Sequence, residues 1–115
     1  MVIDDDDSIL EVMHIVLESE GYDIQTSLNV QPLQNLNGNL PDLILLDVLL
    51  SGEDGIEICK RLKSQQTTKD IPIILLSAHS NASKTAQNSG ADAFLEKPFD
   101  IDVLVELVKQ HLKQE

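Results

Sequence analysis

Four short apolar runs, each ending abruptly on polar residues, are the feature that most constrains the fold of this sequence. Such runs, with few polar interruptions, are typical of parallel strands covered on both faces. The carboxyl ends of parallel strands form the edge at which open α/β sheets bind ligands. We therefore expect the polar residues to converge on one edge of a sheet. The runs are Val2-Ile3 before Asp4-Asp5, Leu43 to Leu46 before Asp47, Ile73 to Leu76 before Ser77, and Ala93 to Leu95 before Glu96-Lys97.

Helical periodicity alternates with these runs. The clearest helix is predicted over residues 8 to 20, with Ser8 as its N-cap, Glu11 three residues later and Gly21 at its end. A fifth strand is predicted at Asp23 to Thr26. The order is then (βα)5, and right-handed crossovers between parallel strands favour a three-layer sandwich. A second helix is predicted around Leu33 and Leu36. The remaining helices are predicted over Ile56 to Leu62, Asn81 to Ser89 and Leu104 to Leu112.

Size and charge restrict the classes of protein to which the chain belongs. Its 115 residues suit one domain, residues 1–115, and the formal net charge of -12 argues against direct nucleic-acid binding. The lone Cys59 has the spacing of a buried helix face, as expected in a reducing compartment. The sequence has no apolar run long enough to span a bilayer and no secretory signal. We therefore expect a soluble, cytoplasmic protein without membrane contact. Only three residues precede the acidic cluster, so we expect the natural chain to begin upstream.

Several motifs together resemble the receiver domain of two-component response regulators, and the similarity runs essentially end to end. The resemblance implies a flavodoxin-like (βα)5 three-layer sandwich with a parallel five-stranded sheet in the order 2-1-3-4-5. The motifs are Ile3-Asp4-Asp5-Asp6, Pro41-Asp42-Leu43-Ile44-Leu45-Leu46-Asp47, Gly52-x-Asp54-Gly55, Leu76-Ser77-Ala78, and Gly90-Ala91-Asp92-x-Phe94-Leu95-x-Lys97-Pro98-Phe99.

The resemblance implies that Asp47 is the phosphoacceptor, a carboxylate that takes a phosphoryl group to form an acyl phosphate. It also implies a Mg2+ site, with Asp5, Asp47 and the backbone carbonyl of Leu49 as direct ligands and Asp4 acting through water. The chemistry of the residues supports a metal independently. Mg2+ prefers hard oxygen ligands, and a divalent cation relieves the repulsion between crowded carboxylates.

By the same resemblance, Lys97 supplies positive charge to the phosphoryl group and Ser77 donates a hydrogen bond to it. Phosphoryl transfer depends mainly on such charge neutralisation and on positioning. Movement of Ser77 would open space into which Phe94 rotates, which makes these two residues the expected switch. Lys97-Pro98 is expected to be a cis peptide. The output is then a changed surface around the fourth helix, fifth strand and fifth helix.

The expected partners also follow from the resemblance. The phosphoryl donor would be a sensor histidine kinase or a histidine phosphotransfer protein, docked beside the first helix. The signal would pass to an output domain or target protein whose identity the residues do not indicate. A homodimer through the face between the fourth and fifth helices is a further expectation.

Two alternatives come from other functional classes. Asp4-x-Asp6-x-Ser8 also matches the start of haloacid-dehalogenase-like phosphohydrolases, with Ser77 and Lys97 as later motif residues. Asp4 would then be the nucleophile, although the chain has no room for a cap domain and matches the final acidic motif of that class poorly. The second alternative is a docking module that is never phosphorylated. The intact acidic residues, Ser77 and Lys97 argue against it.

Overall fold

Strands and helices alternate along the chain in the computed structural model, which describes residues 1–34, 40–50, 52–78 and 89–112. The apolar runs form the strands, and the segments with helical periodicity form the helices between them. In chain order the elements are β1 (Val2–Ile3), α1 (Asp7–Ser19), β2 (Thr26–Ser27), a 3-10 helix (Gln31–Gln34), β3 (Ile44–Asp47), β4 (Leu49–Leu50), β5 (Glu53–Asp54), α2 (Gly55–Lys63), β6 (Ile73–Ser77), β7 (Ala93–Glu96) and α3 (Ile101–His111).

Five parallel strands form one sheet in the order β2-β1-β3-β6-β7. Strands β6 and β7 are the fourth and fifth strands of this sheet, so the predicted order 2-1-3-4-5 and the flavodoxin-like fold are confirmed. Strands β4 and β5 form a separate antiparallel hairpin between β3 and α2. The strand order reverses direction at β1 and β3, and a crevice forms at the carboxyl ends of strands at such a point.

The sheet carries a hydrophobic layer on each face. Alternate residues of β3 and β6 point to opposite faces, and both strands are buried and apolar up to their last residues, Asp47 and Ser77. One layer packs against α2, and the other packs against α1 and α3. Cys59 is fully buried in the α2 layer, as its spacing predicted. Within the described ranges, no helix is long and apolar enough to cross a membrane.

The start of α1 differs from the sequence prediction. Asp6, not Ser8, is the N-cap: its carboxylate accepts a hydrogen bond from the Ser8 amide at 2.9 Å, and its backbone is extended. The prediction that Ser8 is the cap is therefore wrong by two positions. Asp and Ser are both good N-caps, and helical periodicity does not distinguish between neighbouring candidates.

Two other segments were predicted less well. Strand β2 begins at Thr26, where the predicted strand ended, and the weak second helix is present as the 3-10 turn that includes Leu33. Leu36 lies outside the described residues. The helix predicted over Asn81 to Ser89 also lies outside them, apart from its buried last residue.

Candidate functional site

Three carboxylates meet at the carboxyl edge of the sheet. Asp4 directly follows β1, and Asp47 is the last residue of the neighbouring strand β3. Asp4, Asp5 and Asp47 each offer one carboxylate oxygen, and these three oxygens lie within 4.8 Å of one another. Asp4 is fully buried, Asp47 is 5% exposed and Asp5 is exposed. The structure therefore brings together the three acidic residues that were predicted for the metal site.

Hydrogen bonds hold the two buried carboxylates. The Asp4 Oδ1 atom accepts a hydrogen bond from the Asp6 amide at 3.0 Å, and its Oδ2 atom accepts one from Lys97 Nζ at 2.7 Å. The Asp47 Oδ1 atom accepts a hydrogen bond from the Leu49 amide at 3.3 Å. Lys97 Nζ also lies 3.5 Å from Asp47 Oδ2. One ammonium group thus bridges two carboxylates that would otherwise repel each other.

Lys97 reaches this position from the edge strand β7, two strands away from β3. It follows β7, and its amide donates a hydrogen bond to the Ser77 carbonyl at 2.7 Å, which ties it to the end of β6. Its side chain is 15% exposed. The Lys97-Pro98 peptide bond is cis, as expected.

Burial and neighbouring charges shift the pKa values of the bridged groups. Burial raises the pKa of Asp47, and the charge of Asp4 raises it further, against the opposing effects of Lys97 and of the Leu49 amide. Burial acts to lower the pKa of Lys97, but its hydrogen bond to Asp4 and the charges of Asp4 and Asp47 together raise it. Lys97 therefore remains protonated, and it favours the ionised form of Asp47.

The acidic cluster could hold a metal ion. Three carboxylates face one ammonium group, so the cluster retains an excess of negative charge. Its oxygen-only donors are those that small, hard divalent cations prefer. A cation there would offset the repulsion between Asp4 and Asp47, which adds to burial in raising the pKa of Asp47.

The two expected switch residues lie on one face of the sheet. Ser77, which is 1% exposed, ends β6 between the strands that carry Asp47 and Lys97. Phe94 pairs across the sheet with Leu75, two residues before Ser77, so Phe94 and Ser77 point to the same face. Phe94 is partly buried against the α2 layer. Its rotation on phosphorylation stays a prediction.

An apolar cleft of about 390 Å³ adjoins the acidic cluster, between the first turns of α1 and the loop that joins β7 to α3. Lys97 lines it together with apolar side chains. Val12 on α1 is 45% exposed and Ile101 on α3 is 37% exposed, so the mouth of the cleft presents apolar surface to solvent. The lining residues are Ser8, Ile9, Val12, Ala78, Lys97, Pro98, Phe99 and Ile101.

The sequence reasoning missed the contributions of two residues near the cluster. The amide of Asp6 holds the buried carboxylate of Asp4, and Gly55 lies directly against the backbone of Asp47. A signal existed for each. Asp6 belongs to an unbroken acidic run after β1, and Gly55 follows a capping aspartate at the start of a helix.

The chain is similar to response regulators along almost its whole length. A sequence model of the response regulator receiver domain matches residues 1–109. The DNA-binding dual master transcriptional regulator RpaA of Synechocystis sp. is 38% identical over 117 residues, which cover 99% of this chain and 48% of that protein. The phosphate regulon transcriptional regulatory protein PhoB of Pseudomonas aeruginosa is also 38% identical over 117 residues, and the match covers 99% of this chain and 51% of that protein. This chain spans about half the length of these curated relatives.

Solved structures with the same fold agree with this similarity. A putative response regulator from Chloroflexus aurantiacus superposes with a TM-score of 0.90 at 36% identity, covering 98% of this chain and 95% of that one. The receiver domain of NtrX from Brucella abortus has a TM-score of 0.87 at 29% identity, covering 99% and 98%.

Proposed function

Because this chain belongs to the response regulator receiver domain family, whose known role is phosphoryl transfer to an aspartate, we propose that Asp47 is its phosphoacceptor. The observation that carries this assignment is the convergence of Asp4, Asp5, Asp47 and Lys97 on one edge of the sheet. Asp47 is the member of this cluster that ends the central strand β3, and its Oδ2 atom lies 3.5 Å from the Lys97 ammonium group. The proposed activity is Mg2+-dependent transfer from the phosphohistidine of a sensor kinase.

Asp47 would act as the nucleophile. One of its carboxylate oxygens forms a bond to phosphorus while the bond from phosphorus to the donor imidazole nitrogen breaks, which leaves an acyl phosphate on Asp47. The carboxylate must be ionised to attack. Burial and Asp4 oppose ionisation, whereas Lys97 and the Leu49 amide favour it, so these two contacts prepare the acceptor.

Asp5, Asp47 and the backbone carbonyl of Leu49 are the proposed direct ligands of Mg2+, which when bound would neutralise the charge on the transferring phosphoryl group. Asp4 would act through water. Two facts support this division: both oxygens of Asp4 already accept hydrogen bonds from the protein, while Asp5 is exposed at the surface of the cluster. Mg2+ usually keeps several waters, which suits an indirect ligand.

Lys97 and Ser77 would hold the phosphoryl group once it is on Asp47. Lys97 Nζ already lies 3.5 Å from the acceptor carboxylate, and Ser77 ends the adjacent strand. A shift of Ser77 toward the phosphoryl group would change the packing on the face of the sheet that it shares with Phe94. This is the proposed route from the site to an output surface around β7 and α3.

The proposed phosphodonor is a sensor histidine kinase or a histidine phosphotransfer protein that docks beside α1. The apolar cleft supports this location, since it adjoins Lys97 and exposes Val12 and Ile101. We place the chain in the cytoplasm as a single domain, coupled to an output domain or target protein. Its net charge of -12 supports the view that any contact with nucleic acid is made by another module. A homodimer would use the face that includes α3, which is the fifth of the predicted helices.

The assignment is tested with acetyl phosphate and Mg2+, using intact mass to detect the phosphoryl group. We expect the unaltered chain to be labelled and Asp47→Asn to take no label. Asp4→Asn should still be labelled, at a rate lower by about 10-fold, because it removes an indirect metal ligand. Asp70→Asn, which changes an exposed acid in the loop after α2, is the control and should be labelled normally.

Other results would favour the alternatives. If Asp47→Asn were labelled and Asp4→Asn were not, Asp4 would be the nucleophile, as in the phosphohydrolase alternative. If the unaltered chain neither accepted a phosphoryl group nor bound beryllofluoride with Mg2+, the chain would be a docking module.

A further inference from the structure

The first residue of α2 lies against the backbone of the proposed phosphoacceptor. Gly55 is buried, and its amide donates a hydrogen bond to the Val48 carbonyl at 2.7 Å. A Cβ atom built on Gly55 would collide with the carbonyl oxygen of Asp47 and would lie 2.8 Å from Val48 Cα. The neighbours are backbone atoms, which cannot turn aside as a flexible side chain can. This contact is therefore open to glycine alone.

Space, and not backbone conformation, requires this glycine. Gly21 and Gly52 have positive φ angles of 97° and 76°, and a Cβ added to either would meet no atom within 4 Å. Those two residues serve turns. Gly55 lies within helical structure and has no positive φ angle. Its lack of a side chain instead allows the start of α2 to lie close to the backbone of Asp47.

The hairpin that leads to Gly55 carries a second proposed metal ligand, the Leu49 carbonyl. Leu49 pairs with Asp54 in the β4–β5 hairpin, and its amide donates a hydrogen bond to Asp47 Oδ1. Asp54 in turn caps α2 by accepting a hydrogen bond from the Ile56 amide at 2.9 Å. The β4–β5 hairpin therefore brings the chain back, at Gly55, into contact with Asp47 at the end of β3.

We propose that Gly55 is a positioning residue for the phosphoryl-transfer site. By allowing the start of α2 to pack on the Asp47–Val48 peptide, it sets where the Asp47 carboxylate and the Leu49 carbonyl lie relative to Asp5. This inference rests on the proposed function, since it concerns the same acceptor and the same ligands. It adds a residue that touches neither the phosphoryl group nor the metal.

Gly55→Ala tests the inference. The added methyl group must displace either the Asp47–Val48 peptide or the start of α2, so the ligands lose their alignment. We expect the dissociation constant for Mg2+, measured by NMR titration of the folded variant, to rise by about 10-fold, as for residues that orient metal ligands. The rate of labelling by acetyl phosphate should fall in parallel.

Gly21→Ala is the matched control. It adds the same methyl group at a turn remote from the site, and it costs stability through backbone strain at a φ of 97°. Its affinity for Mg2+ should equal that of the unaltered chain. A folded Gly55→Ala protein with unaltered Mg2+ affinity would overturn the inference. Failure of the unaltered chain to bind Mg2+ or to be labelled would instead overturn the proposed function.

Asp54→Ala provides a second test if Gly55→Ala does not fold. It removes the cap, and so loosens the start of α2 from the Asp47–Val48 peptide without adding an atom there. The inference predicts weaker Mg2+ binding in this variant than in Gly21→Ala. Equal affinities in the two variants would contradict it.

Discussion

At the scale of single residues, the charge of Lys97 pairs with a buried carboxylate and is also placed for its proposed role in phosphoryl transfer. Its ammonium group lies 2.7 Å from the buried carboxylate of Asp4 and 3.5 Å from that of Asp47. For phosphoryl transfer it is the residue proposed to neutralise the incoming group. The lysine that pairs with Asp4 is thus also within reach of the proposed acceptor.

Lys97→Met should destabilise the metal-free protein. It leaves Asp4 fully buried without its cationic partner, and breaking a buried pair in this way costs roughly 3 kcal/mol. Urea unfolding in the presence of a chelator measures the change. Lys60→Met is the control, since its side chain is 46% exposed and its pairing with Glu57 is worth less than about 1 kcal/mol. Equal losses in the two variants would refute the role assigned to Lys97.

At the scale of secondary-structure elements, Lys63 joins the end of α2 to the start of β6 and β7. Its ammonium group donates hydrogen bonds to the Lys69 carbonyl at 3.3 Å, the Ile71 carbonyl at 2.8 Å and Asp92 Oδ2 at 2.7 Å. Asp92 Oδ2 also accepts a hydrogen bond from the Ile73 amide at 2.8 Å. This cluster lies at the amino ends of the strands, away from the acidic site.

Lys63→Met should therefore reduce stability without changing the chemistry. Loss of hydrogen bonds from a charged donor that is 15% exposed should cost about 2 kcal/mol of unfolding free energy. Lys60→Met, one turn earlier on the outer surface of α2, should cost far less. The labelling rate of folded Lys63→Met should match that of the unaltered chain, and a large drop would show that this cluster also shapes the site.

The amine that precedes β1 should make the stability of the 115-residue chain depend on pH. The amine of Met1 donates a hydrogen bond to the Leu43 carbonyl at 2.9 Å, and burial lowers the pKa of that amine from 8.0 to about 6, against the opposing charge of Asp42. The unfolded chain then binds more protons between these values, so stability should rise from pH 6 to pH 8, by as much as about 2 kcal/mol. Unfolding of the 115-residue chain with a free amino terminus measures this rise. The same chain with an acetylated amine should lack it.

At the scale of the whole molecule, stability and function are coupled through negative charge. The chain carries a net charge of -12, and its fold gathers three carboxylates at the switch point of the sheet. Like-charge repulsion disfavours that arrangement, and a bound cation would offset the repulsion. Metal binding should therefore stabilise the entire fold, because a ligand that binds only the native state shifts the unfolding equilibrium.

Mg2+ at about 100 times its dissociation constant should raise the unfolding free energy by about 2.7 kcal/mol. Asp5→Asn should lose most of this gain, because it removes a proposed direct ligand, whereas Asp70→Asn should retain it. Thermal unfolding with and without Mg2+, at matched ionic strength, measures the effect. An equal gain in both variants would mean that Mg2+ acts by general screening and not at the cluster.

The sequence predicted much of the fold and most of the candidate site. Continuous apolar runs identified β3 and β6, and the polar residues that follow them identified Asp47 and Ser77, because the carboxyl ends of parallel strands share one edge. Boundaries were less accurate. Asp6 replaced Ser8 as the cap of α1, since both are suitable caps and tertiary contacts decide between them. The short strand β2 at the sheet edge has too few residues to show a clear period.

The hydrophobic pattern of the chain by itself determined the five parallel strands and the acidic residues at their carboxyl edge, because the burial of each strand is encoded locally. It did not indicate the β4–β5 hairpin. Only the tertiary structure decided that Lys97 bridges Asp4 and Asp47, and that Gly55 packs on the Asp47 backbone. These contacts join segments from different strands and from either side of a hairpin. Their distances depend on how the strands align and how closely the layers approach, which periodicity in sequence does not specify.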